Sequence, residues 1–503
     1  MKYLNQTALS KLREQHQGKV IVHCHGVYDL LHYGHLLHLE SAKKFGDVLV
    51  VSITEDCFVN KGPNRPYNSS QKRSTMLAAL SIVDYVYIND APTAIPVIEQ
   101  LKPHFYVKGP DYRDQNQDLT GEIYNEEQAV KQWGGELVFT KDEQHSSTTL
   151  LNQYFSSWNE RQQSAIDQIK QKYSKGAISA LVERMKGLKI LILGEPIIDT
   201  YVFCKPLAIS SKSPSISAEF MREENYTGGT LAIAKHLDAL GCEVSLLVAH
   251  GNEVLTRSLL DDIKQETNIK VREHIVNAPT PRKTRYLQPF NAQKMFEITN
   301  INNDQWVMQD MRGYLQQQQE LASEHDFAII ADFGHGLYEG ECLAALKSLA
   351  CPIALNVQTN SSNLGFNVFT KHSQFDYLCI DEKELRLGMH DRYSDVLSLA
   401  YKACQGHQIA KLTTTLGDKG SLCLWNNGQT HCMMPSLFSQ TVDTTGAGDA
   451  YFAFTAVLDF LGEEAEVSAF LGNIYAGLKA QIIGNKSAVN TVDFVRTVHA
   501  VIG

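Results

Sequence analysis

Short runs of β-branched and other apolar residues alternate with helix-like patterns along almost the whole chain. The first of these runs lie at 19–23, 48–53, 85–88 and 105–108, and amphipathic segments separate them. Strands that are separated by helices pair in parallel, because the chain has to cross over before it adds the next strand. The pattern therefore predicts an α/β fold, with parallel sheets that carry helices on their faces.

The chain is expected to contain two folded domains. Its 503 residues exceed the size of one ordinary core. Residues 153–186 contain few strand formers, and a new strand at 188–194 begins a second alternating pattern. We therefore predict a first domain at 1–152, a helical linker at 153–186 that is broken near Gly176, and a second domain at 187–503.

Charge and cysteine usage exclude several classes of protein. The net charge of −10 argues against a general partner of nucleic acids or anionic membranes. The ten cysteines form no Cys-x-x-Cys pair, which favours buried thiols in a reducing compartment. No apolar run reaches the length of about 18 residues that a membrane helix needs. We expect a cytoplasmic protein with no nucleic-acid and no membrane partner.

The segment 26–35 follows the first strand directly and leads into an amphipathic helix. His32 and His35 thus lie at a strand-to-helix turn, where free backbone amides favour an anion. Two imidazoles at this spacing can both donate hydrogen bonds to one phosphate. A His-x-x-His pair alone is more often a surface or capping feature, so its surroundings decide.

Those surroundings are basic. Residues 57–83 contain four lysines and arginines and no carboxylate, although the whole chain is acidic. Lys108 ends a later predicted strand, and the hydroxyl-rich segment 146–149 precedes another apolar helix. Such a local field suits a nucleoside triphosphate.

Together these segments resemble the nucleotidyltransferase superfamily with the His-x-Gly-His signature, present here as residues 32–35, and within it the adenylyltransferase domain of ADP-heptose synthases. The resemblance implies a Rossmann-like domain. Glycerol-phosphate cytidylyltransferases share the histidines, so ATP and CTP both stay open as the nucleotide. The residues expected in catalysis are His32, His35 and Lys43, and those expected at the nucleotide are Gly26, Tyr28, Asp29, Gly34, Lys61, Arg73, Lys108, Ser147 and Thr148.

A second motif, Asp-Thr-Thr-Gly-Ala-Gly-Asp-Ala, occupies residues 443–450 and precedes an apolar helix. Gly446, Ala447 and Gly448 can turn consecutive amides towards a phosphate. Asp449 then stands where it can accept a proton from an attacking hydroxyl. The string predicts phosphoryl transfer.

This string resembles the second signature of the ribokinase-like, or phosphofructokinase B, sugar kinases. The resemblance covers about 187–503 and implies an α/β domain with a small β lid. It assigns Asp199, Gly228 and Gly229 to the sugar, Thr415 and Gly417 to the nucleotide, and Glu384 to the metal. Three features depart from heptose kinases: 332–336 lacks their lysine, Asp381 replaces an asparagine, and 356–367 matches no known segment.

The sequence thus predicts a bifunctional enzyme, a sugar kinase joined to a sugar-1-phosphate nucleotidyltransferase. By resemblance its product is an ADP-heptose-like activated sugar for surface polysaccharide or lipopolysaccharide, and the two domains stand in the reverse of the usual family order. The expected cofactor is Mg²⁺, the expected partners are a nucleoside triphosphate and a sugar phosphate, and a homodimer is expected. The alternative is a polyol- or sugar-phosphate cytidylyltransferase fused to a divergent or non-catalytic kinase-like module.

Overall fold

The computed structural model of the chain describes residues 2–59, 62–109, 122–140, 158–209, 215–289, 293–300, 303–439 and 441–503. The chain divides into two compact units, one comprising 1–159 together with 496–503 and the other comprising 160–495. Among the described residues, no helix is long and apolar enough to cross a membrane.

In the described part of the first unit, a five-stranded parallel sheet has the order β3-β2-β1-β4-β5. Its strands are β1 (Ile21–Gly26), β2 (Val48–Thr54), β3 (Tyr85–Asn89), β4 (Phe105–Lys108) and β5 (Glu136–Phe139), and its helices are α1 (Gln6–Gln15), α2 (Tyr33–Lys43), α3 (Ser70–Ala79), α4 (Ile95–Leu101) and α5 (Glu122–Gln132).

Apolar residues bury both faces of this sheet. Leu39 of α2 and Leu77 of α3 pack against Leu49 on one face, and Leu9 of α1 packs on the other with Val50. Strands buried on both faces read as continuous apolar runs, which explains why these strands are recognisable in the sequence.

The second unit contains a nine-stranded sheet of order β10-β9-β6-β13-β14-β15-β16-β17-β18 and a four-stranded sheet of order β12-β11-β7-β8. The strands are β6 (Lys189–Gly194), β7 (Pro196–Ile209), β8 (Ile216–Gly229), β9 (Glu243–His250), β10 (Lys270–Ile275), β11 (Arg282–Leu287), β12 (Lys294–Asn300), β13 (Phe327–Asp332), β14 (Ile353–Val357), β15 (Tyr377–Asp381), β16 (Lys411–Thr415), β17 (Ser421–Trp425) and β18 (Thr430–Met434). The predicted α/β class with a small β lid is confirmed.

The helices among the described residues from 160 onward are α6 (Glu160–Lys172), α7 (Lys175–Met185), α8 (Thr230–Ala239), α9 (Val254–Glu266), α10 (Asn303–Val307), α11 (Arg312–Ala322), α12 (Gly340–Ala345), α13 (Glu382–Gly388), α14 (Val396–Gly406), α15 (Ala447–Phe460), α16 (Ala465–Lys479) and α17 (Thr491–Val501). The part of α17 from Arg496 onward belongs to the first unit. Strands β6, β13, β14, β15 and β16 are mutually parallel. Their carboxyl ends therefore share one edge of the sheet, where open α/β sheets bind ligands.

Helices α6 and α7 lie in the segment expected to be a linker, and the structure counts them with the second unit. Lys172 of α6 forms ion pairs with Glu464 and Glu466, and Arg184 of α7 pairs with Glu463. Their apolar faces, which include Ile169 and Leu181, are buried. These two helices therefore form part of a folded unit.

Candidate active sites

The structure places His32 and His35 side by side at the start of α2. His32 is the N-cap: its Nδ1 accepts a hydrogen bond from the amide of Gly34 at 3.1 Å. The His35 ring stacks on it with the centroids 4.0 Å apart. The two imidazoles therefore share one helix N-terminus, where the helix dipole favours an anion.

Burial, together with the nearby His32 and His38, lowers the pKa of His35 to about 3. His35 is therefore neutral near pH 7, and a neutral imidazole has one N–H to donate. Tyr28, held with a positive φ of 50°, lies with its ring 5.1 Å from that of His35. A Cβ on Gly26 would lie 3.1 Å from the Tyr28 ring, so a larger residue would disturb this turn.

Asp29, predicted at the nucleotide, forms hydrogen bonds that organise the loop before α3. Its carboxylate accepts from the Arg65 guanidinium at 2.9 Å and from the amides of Tyr67 and Asn68. It thereby ties the turn after β1 to the segment before α3. Charge-assisted bonds of this kind fix loop geometry strongly.

Arg73, also predicted at the nucleotide, is fully buried. Its guanidinium donates to the backbone carbonyls of Val27, Thr54 and Asn68 and pairs with Asp56 at 2.5 Å. These four hydrogen bonds engage the Arg73 guanidinium within the protein. In this structure Arg73 therefore links the segments that contain Val27, Thr54 and Asn68.

Lys43, predicted in catalysis, lies at the C-terminal end of α2, whereas the two histidines lie at the N-terminal end. It occupies the last residue of α2, which its 11 residues place about 15 Å from the N-terminus. Its ammonium pairs with Asp84 at 2.5 Å and donates to the carbonyl of Asp47. The helical pattern set Lys43 on the right helix, but it does not bring the side chain to the histidines.

Lys108 is buried at the carboxyl end of β4 and forms an ion pair with Glu126 at 2.9 Å. Its neighbour His25, at the end of β1, could not be predicted as a site residue because no sequence motif marks it. The rings of His23 and His25 both hydrogen-bond the Ser52 hydroxyl, and burial holds the pKa of each below its usual range. The predicted residues Lys61, Ser147 and Thr148 lie outside the described residues.

In the second unit, a cavity of about 140 Å³ brings together half of the predicted kinase residues. It is lined by the predicted residues Asp199, Gly229, Gly446, Gly448 and Asp449, and by the unpredicted residues Lys283, Arg285, Gln358 and Asn485. Lys283 and Arg285 alternate along β11, and Gln358 follows the end of β14. Only the strand-end position of Gln358 offered a signal in the sequence.

Asp449 lies in the first turn of α15, the helix that begins at Ala447 directly after Gly446. Burial raises its pKa to about 6, although Gln358 donates a hydrogen bond to its Oδ1 at 2.7 Å. Gly446 has a positive φ of 77°, and a Cβ there would lie 2.3 Å from Asn485 Oδ1. Only glycine fits this position, and Ala447 then begins the helix.

Asp199 lies on β7 and forms an ion pair with Arg285. Asn485 donates to its second oxygen at 3.3 Å. A Cβ on Gly228 would lie 2.4 Å from that same oxygen, so the paired glycines allow β8 to approach the carboxylate. The close approach explains why glycines stand here.

Glu384, predicted at the metal, caps α13 together with Asp381. Each carboxylate accepts the backbone amide of the other residue. Burial, then the nearby charge of Asp381, raises the pKa of Glu384 to about 8, and Asp449 adds to the rise. Thr415 is the register partner of Asp381 on β16, and Gly417 follows it with a positive φ of 63°. Neither Thr415 nor Gly417 lines the 140 Å³ cavity.

The segment 332–336, which lacks the lysine of heptose kinases, contacts a lysine from elsewhere in the chain. Lys371 Nζ lies 2.8 Å from Asp332 Oδ2, and His372 contacts the same oxygen. Glu195 accepts from the amides of Phe333, His335 and Leu337 and so holds this loop at the cavity. The segment 356–367, unmatched in the sequence, contributes Asn367, whose amide also donates to Asp332.

Comparisons with known proteins match two different families to two parts of the chain. The model of the pfkB family carbohydrate kinases matches residues 188–491, and the cytidylyltransferase-like model matches residues 23–153. The chain is 13% identical to phosphofructokinase-2 from Escherichia coli, solved in complex with potassium, with a TM-score of 0.50 over 63% of this chain and 99% of that one. At this identity the likeness shows the fold alone.

Two curated relatives share the name bifunctional protein HldE. The chain is 48% identical over 103 residues to the protein from Campylobacter fetus, which covers 20% of this chain and 22% of that one. It is 38% identical over 143 residues to the protein from Magnetococcus marinus, which covers 28% of each. The alignments span less than a third of these relatives' length, so they give no support for the expected reversal of domain order. A cytidylyltransferase-like domain thus precedes a kinase domain that spans more than half of the residues, and through this second domain the chain belongs to the pfkB family of carbohydrate kinases.

Proposed function

We propose that the chain is a bifunctional enzyme that phosphorylates a sugar or sugar phosphate and also couples a sugar 1-phosphate to a nucleotide. The observation that carries the proposal is the presence of two helix N-termini that suit an anion, His32–His35 in the first unit and Gly446–Asp449 in the second. Each turn carries the side chains that its reaction needs.

In the kinase reaction, a sugar hydroxyl attacks the γ-phosphorus of ATP and ADP leaves. The hydroxyl proton passes to Asp449, whose raised pKa of about 6 suits a base that works near neutral pH. The amides of the 446–448 turn bind the transferred phosphoryl group. Lys283 and Arg285 line the same cavity and neutralise its charge.

We propose that Mg²⁺ accompanies ATP at this site. Burial is the main cause of the raised pKa of Glu384 and of Asp449, and a divalent cation would stabilise the ionised form of each carboxylate. Within the described ranges, no group of three or more His, Cys, Asp or Glu residues could hold a metal ion by itself. Mg²⁺ at nucleotide sites commonly keeps waters and uses one or two carboxylates plus substrate phosphates, so Asp449 and Glu384 fit this role.

In the transferase reaction, a phosphate oxygen of the sugar 1-phosphate attacks the α-phosphorus of the nucleotide and pyrophosphate leaves. His32 and His35 stabilise the charge that develops on the α-phosphate oxygens. No proton transfer is required of them, which agrees with the low pKa of His35. By resemblance we propose ATP as the nucleotide and an ADP-heptose-like product.

A second candidate is a cytidylyltransferase, and the match of 23–153 to the cytidylyltransferase-like model favours it. The full-length protein should be offered ATP, CTP, GTP and UTP with a panel of sugar 1-phosphates, and pyrophosphate release measured. Release with ATP alone supports the first proposal, and release with CTP alone supports the second. No release with any pair would overturn both.

We further propose that 1–152 and 187–503 carry the two activities, which the family matches at 23–153 and 188–491 support. A cytoplasmic setting is proposed from the ten free thiols.

We also propose a homodimer, since the lid exposes apolar side chains, among them Ile209, Ile216, Phe220 and Phe296. Light scattering of the purified protein tests the last point, and a monomer would contradict it.

A further inference from the structure

Lys479, the last residue of α16, is a buried cation with unusual partners. Its side chain is fully buried, and burial lowers its pKa. The two hydrogen bonds that the structure gives its ammonium go to backbone carbonyls, Thr445 O at 2.9 Å and Gly484 O at 2.7 Å. Buried lysines are rare and usually sit in direct ion pairs, so this placement needs an explanation.

Lys479 and Asp443 together hold two segments of backbone. Asp443 accepts the amide of Thr445 at 3.1 Å and the amide of Gly484 at 2.9 Å. Lys479 takes the carbonyl oxygens of the same two residues. Each peptide segment is therefore fixed at both its N–H and its C=O by one carboxylate and one ammonium.

This clamp determines the direction of the phosphate-binding amides. In a trans peptide, the carbonyl of one residue and the N–H of the next point in opposite directions. Because the Thr445 carbonyl is held by Lys479, the amide of Gly446 is turned the other way. Gly446 lines the cavity, as do Gly448 and Asp449.

The ammonium also acts on the charges of the site. Asp443, Asp449 and Asp199 all favour the protonated form of Lys479, while Lys294 opposes it. Conversely, Lys479 and Lys283 favour the ionised form of Asp449. A fixed positive charge behind the turn therefore supports both the base and an incoming phosphate.

We propose that Lys479 is a positioning residue that acts as a covalently attached monovalent cation for the phosphate-binding turn 445–448. An ammonium that sits on backbone carbonyl oxygens has the charge and the oxygen partners of a bound K⁺ or NH₄⁺ ion. The kinase half then carries its own monovalent cation and needs no K⁺ or NH₄⁺ from solution. This inference rests on the proposed kinase activity. Its test also measures the thermal midpoint, which does not depend on that activity.

The test compares Lys479→Ala and Lys479→Arg with the parent protein, and uses Lys347→Ala, which removes an exposed lysine of the same unit, as the matched control. Each full-length protein is measured in ammonium, potassium, sodium and choline chloride at equal ionic strength. The readouts are ADP formation with its kcat and KM for ATP, the thermal midpoint, and the affinity for ATP.

We expect Lys479→Ala to lower kcat by about 100-fold in choline, the loss typical of a missing oriented donor. Ammonium or potassium should restore at least about a tenth of the lost activity and raise the thermal midpoint of this variant, because the small cation fills the vacated position. The parent and Lys347→Ala should respond to the choice of cation by less than about two-fold. Lys479→Arg should stay impaired, since the larger guanidinium does not fit the carbonyl pair.

Three results would overturn the inference: full activity of Lys479→Ala in choline, a loss that no cation restores in either activity or thermal midpoint, or strong activation of the parent by potassium. If the parent forms no ADP with any sugar, the proposed kinase function fails. The cation-specific recovery of the thermal midpoint then still decides whether Lys479 replaces a cation.

Discussion

The two units differ in how well charged residues indicated function. In the second unit, Asp199, Gly229, Gly446 and Asp449 meet in one cavity. In the first unit, Lys43 and Arg73 form ion pairs with Asp84 and Asp56. The second set was chosen from motif segments whose glycines fix the backbone, whereas Lys43 and Arg73 were chosen for their basic charge and by family resemblance.

Backbone motifs therefore locate a site better than local charge does. A glycine such as Gly446 is required by a positive φ and by the atoms that a Cβ would meet. A lysine or arginine reaches over several ångströms and pairs with whichever carboxylate the fold brings near. The predictions below test this difference.

The largest effect is expected from Asp449→Asn. The amide keeps the shape but cannot accept the proton, so phosphoryl transfer should fall by about 100-fold to 10,000-fold. The carboxyl of Asp449 has a higher pKa in the fold than in the unfolded chain, so its ionisation lowers stability as the pH rises from about 4 to about 6, and the full cost remains above pH 6. At pH 7 the variant should thus be more stable, by about 2 to 3 kcal/mol. Urea unfolding and ADP formation test both statements, and an unstable variant would contradict the second.

Arg73→Met should destabilise the first unit. The molecules that remain folded should release pyrophosphate at the parental rate. Removal of a buried cation leaves Asp56 and three carbonyls without a partner, which typically costs about 3 to 5 kcal/mol. Denaturant unfolding measures the loss. A fully stable variant that releases pyrophosphate more slowly would restore the predicted role of Arg73 at the nucleotide.

His35→Ala should slow pyrophosphate release by about 100-fold to 1,000-fold, because one donor to the α-phosphate is lost. Lys43→Ala is the matched control on the same helix, and we expect it to change the rate by less than about two-fold, since an exposed ion pair contributes little. Equal losses in both variants would show that position on the helix does not separate the two residues.

Gln358→Ala should shift the pH profile of the kinase. The Gln358 hydrogen bond favours the ionised form of Asp449, as Lys283 and Lys479 do, whereas Asp199 opposes it. Without this bond the apparent pKa of the base should rise above about 6, so activity near pH 6 should fall about 10-fold and recover as the pH rises. An unchanged profile would mean that Gln358 does not act on the base.

Much of the fold could be predicted from the sequence, because strands buried on both faces appear as uniform apolar runs. The histidine turn could be predicted because its strand, turn and helix are contiguous, and the 446–448 turn could be predicted from its eight-residue motif. Contacts between distant segments could not. Lys371 pairs with Asp332 across 39 residues of chain, and Gln358, which follows β14, reaches Asp449 on α15. Lys283 and Arg285 line the cavity only because β11 pairs with β7.

The central claim is that one chain carries two separate phosphate-transfer sites. The most direct measurement assays full-length Asp449→Asn and His35→Ala for both ADP formation and pyrophosphate release. We predict that Asp449→Asn loses ADP formation and keeps pyrophosphate release, and that His35→Ala shows the reverse. If either folded variant lost both activities together, or if neither lost any, the account of two separate sites would be contradicted.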